Sequence, residues 1–440
     1  MRYTGTKTTK WLLRGATLLH LTPPRIEKKD IRIRDSFIYQ IGEHLQPLAD
    51  EAILDLSGKW VMPGLISGHT HLNTSLSCGM PILSGRSTTF SQMMKDIWWR
   101  FEDALDEESI RISALIGGLQ ALKAGVTTII DHHSSPNAID NSLIIIDEAL
   151  EQLGIRRILS YSVTDRKGTE SAIRGIQAHE KLLATSLSKQ SAGMRAVMLG
   201  GHANYTLSDK TLRYCGDFAR QNNLGIHIHV AEAIDDAQIT GENPVKRLQR
   251  LGALLPGSLL AHCIHISKED IKLIKDAGAW ISHQPRSNMN ESVGYAPLAD
   301  FGNNTIIGTD NMSIDLLCEL KVAWLRAQEA GINWNPERWL RLLSLTGTFA
   351  GHKLGIALGQ LAPQSAADLI VLEPLPFPKL TNENLAKAFL LKFSNTQIQH
   401  VMIHGTWRLW NQKPQNLNVV ELTQEAEKIA EKIQQKMSRP

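Results

Sequence analysis

Eight short apolar segments, mostly separated by segments with helical spacing, set the strictest limit on how this chain can fold. They are GLISGHTH (64–71), GVTTIIDHH (125–133), RRILSYSVTD (156–165), RAVMLGGHA (195–203), GIHIHVAE (225–232), SLLAHCIH (258–265), AWISHQPRS (279–287) and TIIGTDN (305–311). Alternating strands and helices favour a parallel sheet, and eight such units close into a barrel. We therefore predict an α/β protein in which residues 63–360 form a (β/α)8 TIM barrel.

The two ends of the chain have a different pattern, because apolar and polar residues alternate there with a period of two. DIRIRDSFIYQIG (30–42) and ADLIVLEPL (367–375) are examples, and such alternation is typical of strands. We predict that residues 1–62 and 361–440 build one small β-module beside the barrel. The last segment predicts a helix that packs one apolar stripe on the protein: Leu422, Ala426, Ile429, Ile433 and Met437.

Charge and cysteine usage exclude several classes of protein. The 47 Lys and Arg residues against 44 Asp and Glu give a net charge of only +3, which argues against nucleic acid as a partner. The four cysteines are scattered and form no CxxC pair, so we expect a reducing, cytoplasmic location and no disulfide framework. No apolar stretch is long enough to span a bilayer, and the N-terminus has no clear cleavage site. We therefore expect no membrane partner.

Polar side chains gather at the carboxyl ends of four predicted strands, where the chemistry of such barrels takes place. They are His69 and His71 on the first strand, His227, His229 and Glu232 on the fifth, His262 on the sixth and Asp310 on the eighth. Any one of these could be an ordinary loop residue, but four strands of one barrel with the same feature favour a site. Three imidazoles and a carboxylate suit Zn²⁺ or Fe²⁺, and Glu232 is placed to protonate a leaving nitrogen.

The motifs PGLISGHTHL, HVAE, AHC and GTD occur in an order that resembles the amidohydrolase superfamily, in its deaminase and chlorohydrolase branch. DHHSSPNAI, YSVTDRKG, GGHANYTLSD and HQPRSNMN are similar, more narrowly, to the SsnA group of aminohydrolases. The resemblance covers nearly the whole chain. It implies a (β/α)8 barrel with a small β-sandwich domain built from both chain ends.

The resemblance also implies roles for individual residues. One divalent metal ion, zinc or alternatively iron, would be held by His69, His71, His229 and Asp310. Glu232 would be the proton shuttle and His262 would orient the water or the oxyanion, while Asp310 would also accept the water's proton. AVMLGGHANYT, at the end of the fourth strand, lacks the lysine that relatives with two metals use. This absence supports a single metal ion.

Other polar residues are candidates for contact with a substrate. His202 matches a substrate-contacting histidine of this branch, and Arg166 or Arg286 could clamp a carboxylate or phosphate, unless each lies in an internal ion pair. At most one of His132 and His133 should face the pocket, because neighbouring strand residues point in opposite directions. His283 and the aromatic group of Trp98, Trp99 and Phe101 are weaker candidates. We expect the aromatic group in the core or at a subunit interface, and stacking on a flat substrate ring is the alternative.

Two segments depart from the pattern of the relatives. Asn311 follows the strand-eight aspartate where many relatives have glycine, and the loop LNTSLSCGM (72–80) also differs. Both border the pocket, so they affect the substrate rather than the metal chemistry.

We predict a metal-dependent hydrolase of non-peptide carbon–nitrogen bonds, which deaminates an aminated heterocycle, acts on a small molecule and forms a homodimer. A chlorohydrolase or a cyclic amide hydrolase with the same metal site is the alternative. A catalytically silent scaffold is the alternative from another class, although every expected ligand is present in the sequence.

Overall fold

Two parallel sheets and one mixed sheet contain the strands of the computed structural model, which describes residues 10–80, 89–186 and 193–438. The first nine and last two residues of the predicted terminal module lie outside the described residues. The strands are β1 (Lys10–Leu21), β2 (Pro24–Arg34), β3 (Phe37–Gly42), β4 (Ala52–Asp55), β5 (Trp60–Pro63), β6 (Leu65–Thr70), β7 (Val126–His133), β8 (Arg156–Tyr161), β9 (Arg195–Val197), β10 (Leu199–Ala203), β11 (Ile226–Val230), β12 (Leu259–His262), β13 (Trp280–His283), β14 (Thr305–Ile307), β15 (Leu369–Leu372), β16 (Ile398–Ile403), β17 (Thr406–Trp410) and β18 (Lys413–Pro414).

The α-helices fill most of the intervals between the strands of the parallel sheets. They are α1 (Phe90–Met93), α2 (Trp99–Ala104), α3 (Glu107–Lys123), α4 (Ser142–Leu153), α5 (Thr169–Ser186), α6 (Asp209–Gln221), α7 (Asp235–Thr240), α8 (Pro244–Arg250), α9 (Lys268–Asp276), α10 (Pro285–Asn290), α11 (Leu316–Glu329), α12 (Pro336–Leu354), α13 (Leu385–Lys392) and α14 (Val419–Met437). Local sequence explains several boundaries. The Ser267 and Asp270 side chains form a capping box at the start of α9, and Gly154 ends α4 with φ 70°, a conformation that favours glycine.

Each of the eight predicted barrel segments contains a strand, and all of these strands run parallel. One sheet has the order β6-β7-β8-β9 and the other β10-β11-β12-β13-β14. The fourth predicted segment contributes to both, since β9 and β10 are separated only by Met198. Hydrogen bonds also join the two sheets: the amides of Thr309 and Asp310 donate to the His69 carbonyl, and the amide of His202 donates to the Val163 carbonyl. The carboxyl ends of all eight segments therefore lie at one end of the assembly.

His179, on α5, ties the two parallel sheets together near their second junction. Its Nε2 accepts the backbone N–H of Tyr161 on β8 at 2.9 Å and that of Gly200 on β10 at 3.0 Å. Its Nδ1 donates to the Gly175 carbonyl at 2.8 Å. Only neutral imidazole can accept at Nε2, and burial lowers the pKa of His179 to about 4.

Acid should weaken the fold through His179. Its folded pKa lies below the usual value of 6.5, so its stabilisation is complete above pH 6.5 and is lost as the pH falls towards 4. Such a group contributes about 1.4 kcal/mol per pH unit within that window. His179→Phe keeps a ring but removes the acceptor, so we expect lower stability at pH 7 and a smaller pH dependence between 6.5 and 4.5.

Urea unfolding followed by circular dichroism at several pH values measures both effects. His352→Gln, at an exposed position of α12, is the control and should keep the pH slope of the parent protein. An unchanged slope in His179→Phe would contradict the assigned role of His179.

Strands from both ends of the chain hydrogen-bond into one mixed sheet of the described residues, in the order β18-β17-β16-β15-β5-β1-β2-β3, with β4 also paired to β1. The sheet bends back on itself, because Trp11 on β1 and Trp407 on β17 pack with ring centroids 6.0 Å apart although three strands lie between them. Ile33, Leu369 and Met402 belong to the same buried cluster. The N-terminal and C-terminal segments thus share one core.

Helix α14 confirms the apolar stripe predicted from its sequence. Its buried residues are Leu422, Ala426, Ile429, Ile433 and Met437, and they join the large core that also includes α3. All four cysteines are free thiols. Among the described helices, none combines the length and the apolar character that crossing a bilayer requires.

Candidate active site

Histidine and aspartate side chains from four strand ends meet in the interior of the parallel sheets. Asp310 Oδ1 lies 2.9 Å from His71 Nε2 and 3.2 Å from His69 Nε2. His71 Nε2 is 3.2 Å from His229 Nε2. The other oxygen, Asp310 Oδ2, lies 3.8 Å from His262 Nε2. The sequence-predicted metal ligands therefore converge, and His262 approaches the opposite side of the Asp310 carboxylate.

The backbone holds two of these residues in an unusual conformation. His262 has φ 72° and Asp310 has φ 54°, in the left-handed region that side chains other than glycine rarely adopt. Such strain costs of order 1–3 kcal/mol and persists where surrounding structure enforces it, often at functional sites.

Hydrogen bonds to the backbone orient two of the imidazoles. His71 Nδ1 donates to the His132 carbonyl, and His229 Nδ1 donates to the His202 carbonyl. Each ring therefore carries a hydrogen on Nδ1 and turns its Nε2 to the common centre, where a bound cation would take the Nε2 lone pair. Metal-binding histidines in proteins are typically held in this way.

A buried chain of hydrogen bonds orients His69. The Ser160 hydroxyl donates to the Asp131 carbonyl at 2.8 Å, and Ser160 Oγ lies 3.2 Å from His227 Nδ1. His227 Nε2 in turn lies 2.8 Å from His69 Nδ1. Because the serine hydrogen is used, His227 donates from Nδ1 and accepts at Nε2, so His69 presents its Nε2 lone pair to the centre. We call Ser160, His227 and His69 the buried relay.

Burial and the Asp310 carboxylate dominate the electrostatics of the centre. Burial lowers the pKa of His69 to about 4. Burial opposes protonation of His71 too, but the hydrogen bond and charge of Asp310 outweigh it and raise the pKa of His71 to about 9. Burial would raise the pKa of Asp310, yet its contacts with His69 and His71 hold it well below its usual value. The ionised Asp310 carboxylate thus favours positive charge at the centre, either as a proton on His71 Nε2 or as a metal cation in its place.

Glu232 lies beside this centre in a position suited to an acid. Its Oε1 is 3.4 Å from His262 Nε2, and His262 Nδ1 donates to Asn288 Oδ1 at 2.8 Å. Burial raises the pKa of Glu232 well above its usual value, and the charges of Glu291 and Asp310 raise it further. Burial and the neighbouring charges therefore both favour the protonated form of the Glu232 carboxyl.

The cavity above the centre is lined by side chains from several loops and helices. They include Trp98, Glu102, His202, Glu232, Glu291 and Asn311. No lysine or arginine occurs among the lining residues in the described part of the chain. The sequence predicted His202 and Glu232 here, whereas Glu102 and Glu291 were missed, because helix and loop carboxylates are most often solvated and no local pattern distinguished these two.

Of the weaker histidine candidates, one lines the cavity and the others lie outside its lining. His202 lines the cavity, and its Nδ1 lies 2.9 Å from Thr206 Oγ1. His132 points inward beneath the centre, with Nε2 3.0 Å from the Gly201 carbonyl, while His133 contacts Ser135. Neither of the two lines the cavity among the described residues. His283 is also fully buried, with its ring against Tyr295.

Both candidate arginines lie in ion pairs, the alternative that their sequence left open. Arg286 Nε contacts the buried carboxylate of Glu319 at 2.5 Å, and its guanidinium also contacts Ser313. Arg166 pairs with Glu102 and lies over the Trp99 ring at 4.6 Å. Arg286 is thus held by Glu319 and Ser313, outside the lining of the cavity. Arg166 does not line the cavity itself but contacts two residues that do, Glu102 and Ser134.

The residues of the predicted aromatic group lie in different surroundings. Trp98 lines the cavity, whereas Phe101 is 1% exposed and belongs to the large core. The expectation of a core position is therefore confirmed for Phe101, and Trp98 is placed where a flat ring could stack on it.

The donor set fits a divalent metal ion. Ligand atoms of His69, His229, His262 and Asp310 all lie within 4.8 Å of one another, and His71 Nε2 contacts both His229 and Asp310. The Nε2 atoms of His69 and His262 are buried and accept no hydrogen bond from the described residues. Unpaired buried nitrogens are costly, and a metal or its bound water would satisfy them.

Known proteins resemble the chain over nearly its full length. A model described as the amidohydrolase family matches residues 60–408. A 5'-deoxyadenosine deaminase from Methanobrevibacter smithii is 27% identical over 443 residues, which cover 96% of this chain and 98% of the relative.

Two solved structures share the fold. An adenosine deaminase from Xanthomonas campestris with bound zinc has a TM-score of 0.84 at 18% identity, covering 97% of this chain and 98% of the other. The atrazine chlorohydrolase TrzN from Arthrobacter aurescens TC1, complexed with zinc, has a TM-score of 0.81 at 23% identity, covering 95% and 99%. At these identities the two likenesses concern the architecture alone.

Proposed function

The chain belongs to the amidohydrolase family, and from this membership we propose that it is a metal-dependent aminohydrolase that releases ammonia from an aminated heterocycle. The observation that carries the proposal is the convergence of three imidazole Nε2 atoms and the Asp310 carboxylate beside the buried carboxyl group of Glu232. The relative from Methanobrevibacter smithii, named as a 5'-deoxyadenosine deaminase, supports an aminated purine or a related small ring as the substrate.

We assign His69, His71, His229 and Asp310 as the ligands of one zinc ion. When bound, zinc would supply a water whose pKa is near 7. Asp310 Oδ2 faces His262 rather than the other ligands, so Asp310 is placed to accept a proton from that water. His262, whose Nδ1 is fixed by Asn288, orients the attack with its Nε2.

Glu232 gives its proton to the ring nitrogen next to the carbon under attack, the proton accepted by Asp310 passes to the departing amino group, and the proton of the new hydroxyl returns to Glu232 as ammonia leaves. An amino group must be protonated to leave, whereas chloride needs no proton, so two proton-carrying carboxyl groups beside the centre favour deamination over dechlorination. The cavity residues Trp98 and His202 would contact the ring.

The architecture that supports this chemistry is, in our proposal, a closed (β/α)8 barrel over residues 63–360 with a small β-domain from residues 1–62 and 361–440. Hydrogen bonds across both junctions of the parallel sheets support closure. The curled mixed sheet, which unites both chain ends, supports the small domain. The homodimer and the cytoplasmic location stay predictions.

Ammonia release over a panel of aminated purines, pterins, pyrimidines and triazines tests the function. We expect at least one compound to reach a kcat/KM of about 10⁴ M⁻¹s⁻¹ or more. Chloride release from chlorinated triazines and ring opening of cyclic amides are measured in parallel. Turnover of those compounds alone would replace the deaminase assignment with one of its alternatives.

The buried relay should control how tightly the metal binds. Ser160→Ala removes the hydrogen-bond acceptor of His227 Nδ1. His227 can then carry its hydrogen on Nε2 instead and donate it to His69 Nδ1, which places the hydrogen of His69 on Nε2, towards the centre. Losing such an outer partner typically weakens metal binding by about 10- to 100-fold, and we expect that loss of zinc affinity here. Competition with a fluorescent chelator measures it.

Ser282→Ala is the matched control for this measurement. Ser282 is also fully buried on a strand of the parallel sheets, but its hydroxyl has no hydrogen-bond partner among the described residues. Zinc affinity should be unchanged in Ser282→Ala. Equal affinities in the two variants would show that the buried relay does not orient His69.

A further inference from the structure

Glu291 and Asn311 form a polar pair in the cavity wall that the proposed reaction leaves without a role. Asn311 Nδ2 donates to Glu291 Oε1 at 2.9 Å, and the Ser287 hydroxyl donates to Asn311 Oδ1 at 3.3 Å. Asn311 therefore fixes the position of Glu291 Oε1 and makes no hydrogen bond to Glu291 Oε2.

Glu291 faces the same part of the cavity as the proposed acid. Carboxylate oxygens of Glu232, Glu291 and Asp310 lie within 4.8 Å of one another. His262, which is fully buried, directs its unpaired Nε2 to the same place, 3.4 Å from Glu232 Oε1. Glu291 also shares a side-chain hydrogen bond with Glu232. A substrate group that occupies this part of the cavity would therefore meet both carboxyl groups.

We propose that Glu291 is a specificity-determining residue that accepts a hydrogen bond from a second N–H group of the substrate. This inference rests on the proposed function. With Glu232 at the ring nitrogen beside the carbon under attack, the neighbouring Glu291 would lie beside the next ring carbon beyond that nitrogen. The substrate class is therefore a heterocycle with amino groups on both carbons that flank one ring nitrogen.

The chemistry of the wall supports this substrate class. A carboxylate has only acceptor sites. A substrate that places a C–H group instead of an N–H group against Glu291 leaves those sites without a hydrogen bond. A site built to receive N–H groups therefore discriminates against an analogue that lacks one. A hydrogen bond to a charged group changes affinity by about 10- to 100-fold, and this is the preference that Glu291 should create.

Calorimetric binding of 2,4-diaminopyrimidine and 4-aminopyrimidine to the zinc-loaded protein tests the inference without requiring turnover. We expect the diamino compound to bind about 10- to 100-fold more tightly. Because the compounds also differ in basicity, the ratio in Glu291→Leu is decisive and should fall close to one. Glu291→Gln and Asn311→Gly should give intermediate ratios, and they keep the test possible if Glu291→Leu does not fold.

Glu383→Leu, at an exposed position outside the cavity, is the control and should keep the parent ratio. An unchanged ratio in Glu291→Leu, or no detectable binding of either compound to the parent protein, would overturn the inference. Ammonia release is assayed on the same samples with both compounds and with the matching purine pair. A binding ratio that depends on Glu291 without ammonia release from any of them would leave the recognition role standing and contradict the proposed function.

Discussion

Removal of the metal ion is expected to lower ammonia release by about three orders of magnitude or more. The reason is chemical: water in solution has a pKa of 15.7, and zinc brings it to about 7, while none of the side chains around Asp310 can supply a hydroxide at neutral pH. The protein is treated with a chelator, dialysed, and assayed before and after addition of one equivalent of zinc. Zinc should restore the activity of the parent protein.

Magnesium is the informative control for that experiment. It prefers six oxygen ligands, whereas the centre offers His69, His71 and His229 with a single carboxylate, so magnesium should not restore activity. Full activity in protein shown by elemental analysis to be free of metal would end the assignment of a metal-dependent hydrolase. Recovery with iron but not zinc would keep the mechanism and change the ion.

Glu232→Gln is expected to lower kcat by about 10²- to 10⁴-fold, the usual contribution of a positioned acid. Burial, together with the charges of Glu291 and Asp310, raises the pKa of Glu232 and so favours the protonated form that can act as an acid, whereas glutamine has no such proton to give. Because the acid must be protonated, the activity of the parent should decline as the pH rises through that raised pKa. Steady-state kinetics across pH measures both effects.

The zinc content of Glu232→Gln should equal that of the parent, since Glu232 is not an assigned ligand. Glu329→Gln, on the exposed face of α11, controls for the loss of a carboxylate and should keep full activity. Turnover within threefold of the parent in Glu232→Gln would transfer the acid role to another group.

The strand ends could be predicted from sequence because their pattern is local. An apolar strand that ends in histidine or aspartate is unusual, and parallel strands bring such ends to one place, so His69, His229 and Asp310 could be grouped from their positions along the chain alone. The alternation of strands and helices indicated the parallel sheets in the same way. These predictions needed only periodicity and the direction of parallel strands.

Contacts between elements that are distant in sequence could not be predicted from periodicity and strand direction. Arg286 pairs with Glu319, which is 33 residues away on a different helix, and nothing in either segment indicates that partner. Glu291 reaches Glu232 from the end of α10, and this approach depends on how α10 packs, which its own sequence does not indicate. The buried relay likewise depends on the packing of β8 against β7 and β11, not on the spacing of Ser160 and His227.

The mixed sheet has a consequence for synthesis of the protein on the ribosome. Strand β5 pairs with β15, and roughly 300 residues separate them. At about 5–20 residues per second, the partner strand emerges on the order of 15–60 s later. Until then the backbone edge of β5 has no partner strand, and the apolar side chains around Trp11 stay exposed to solvent. We therefore expect the nascent chain to need chaperones and the finished protein to tolerate C-terminal truncation poorly.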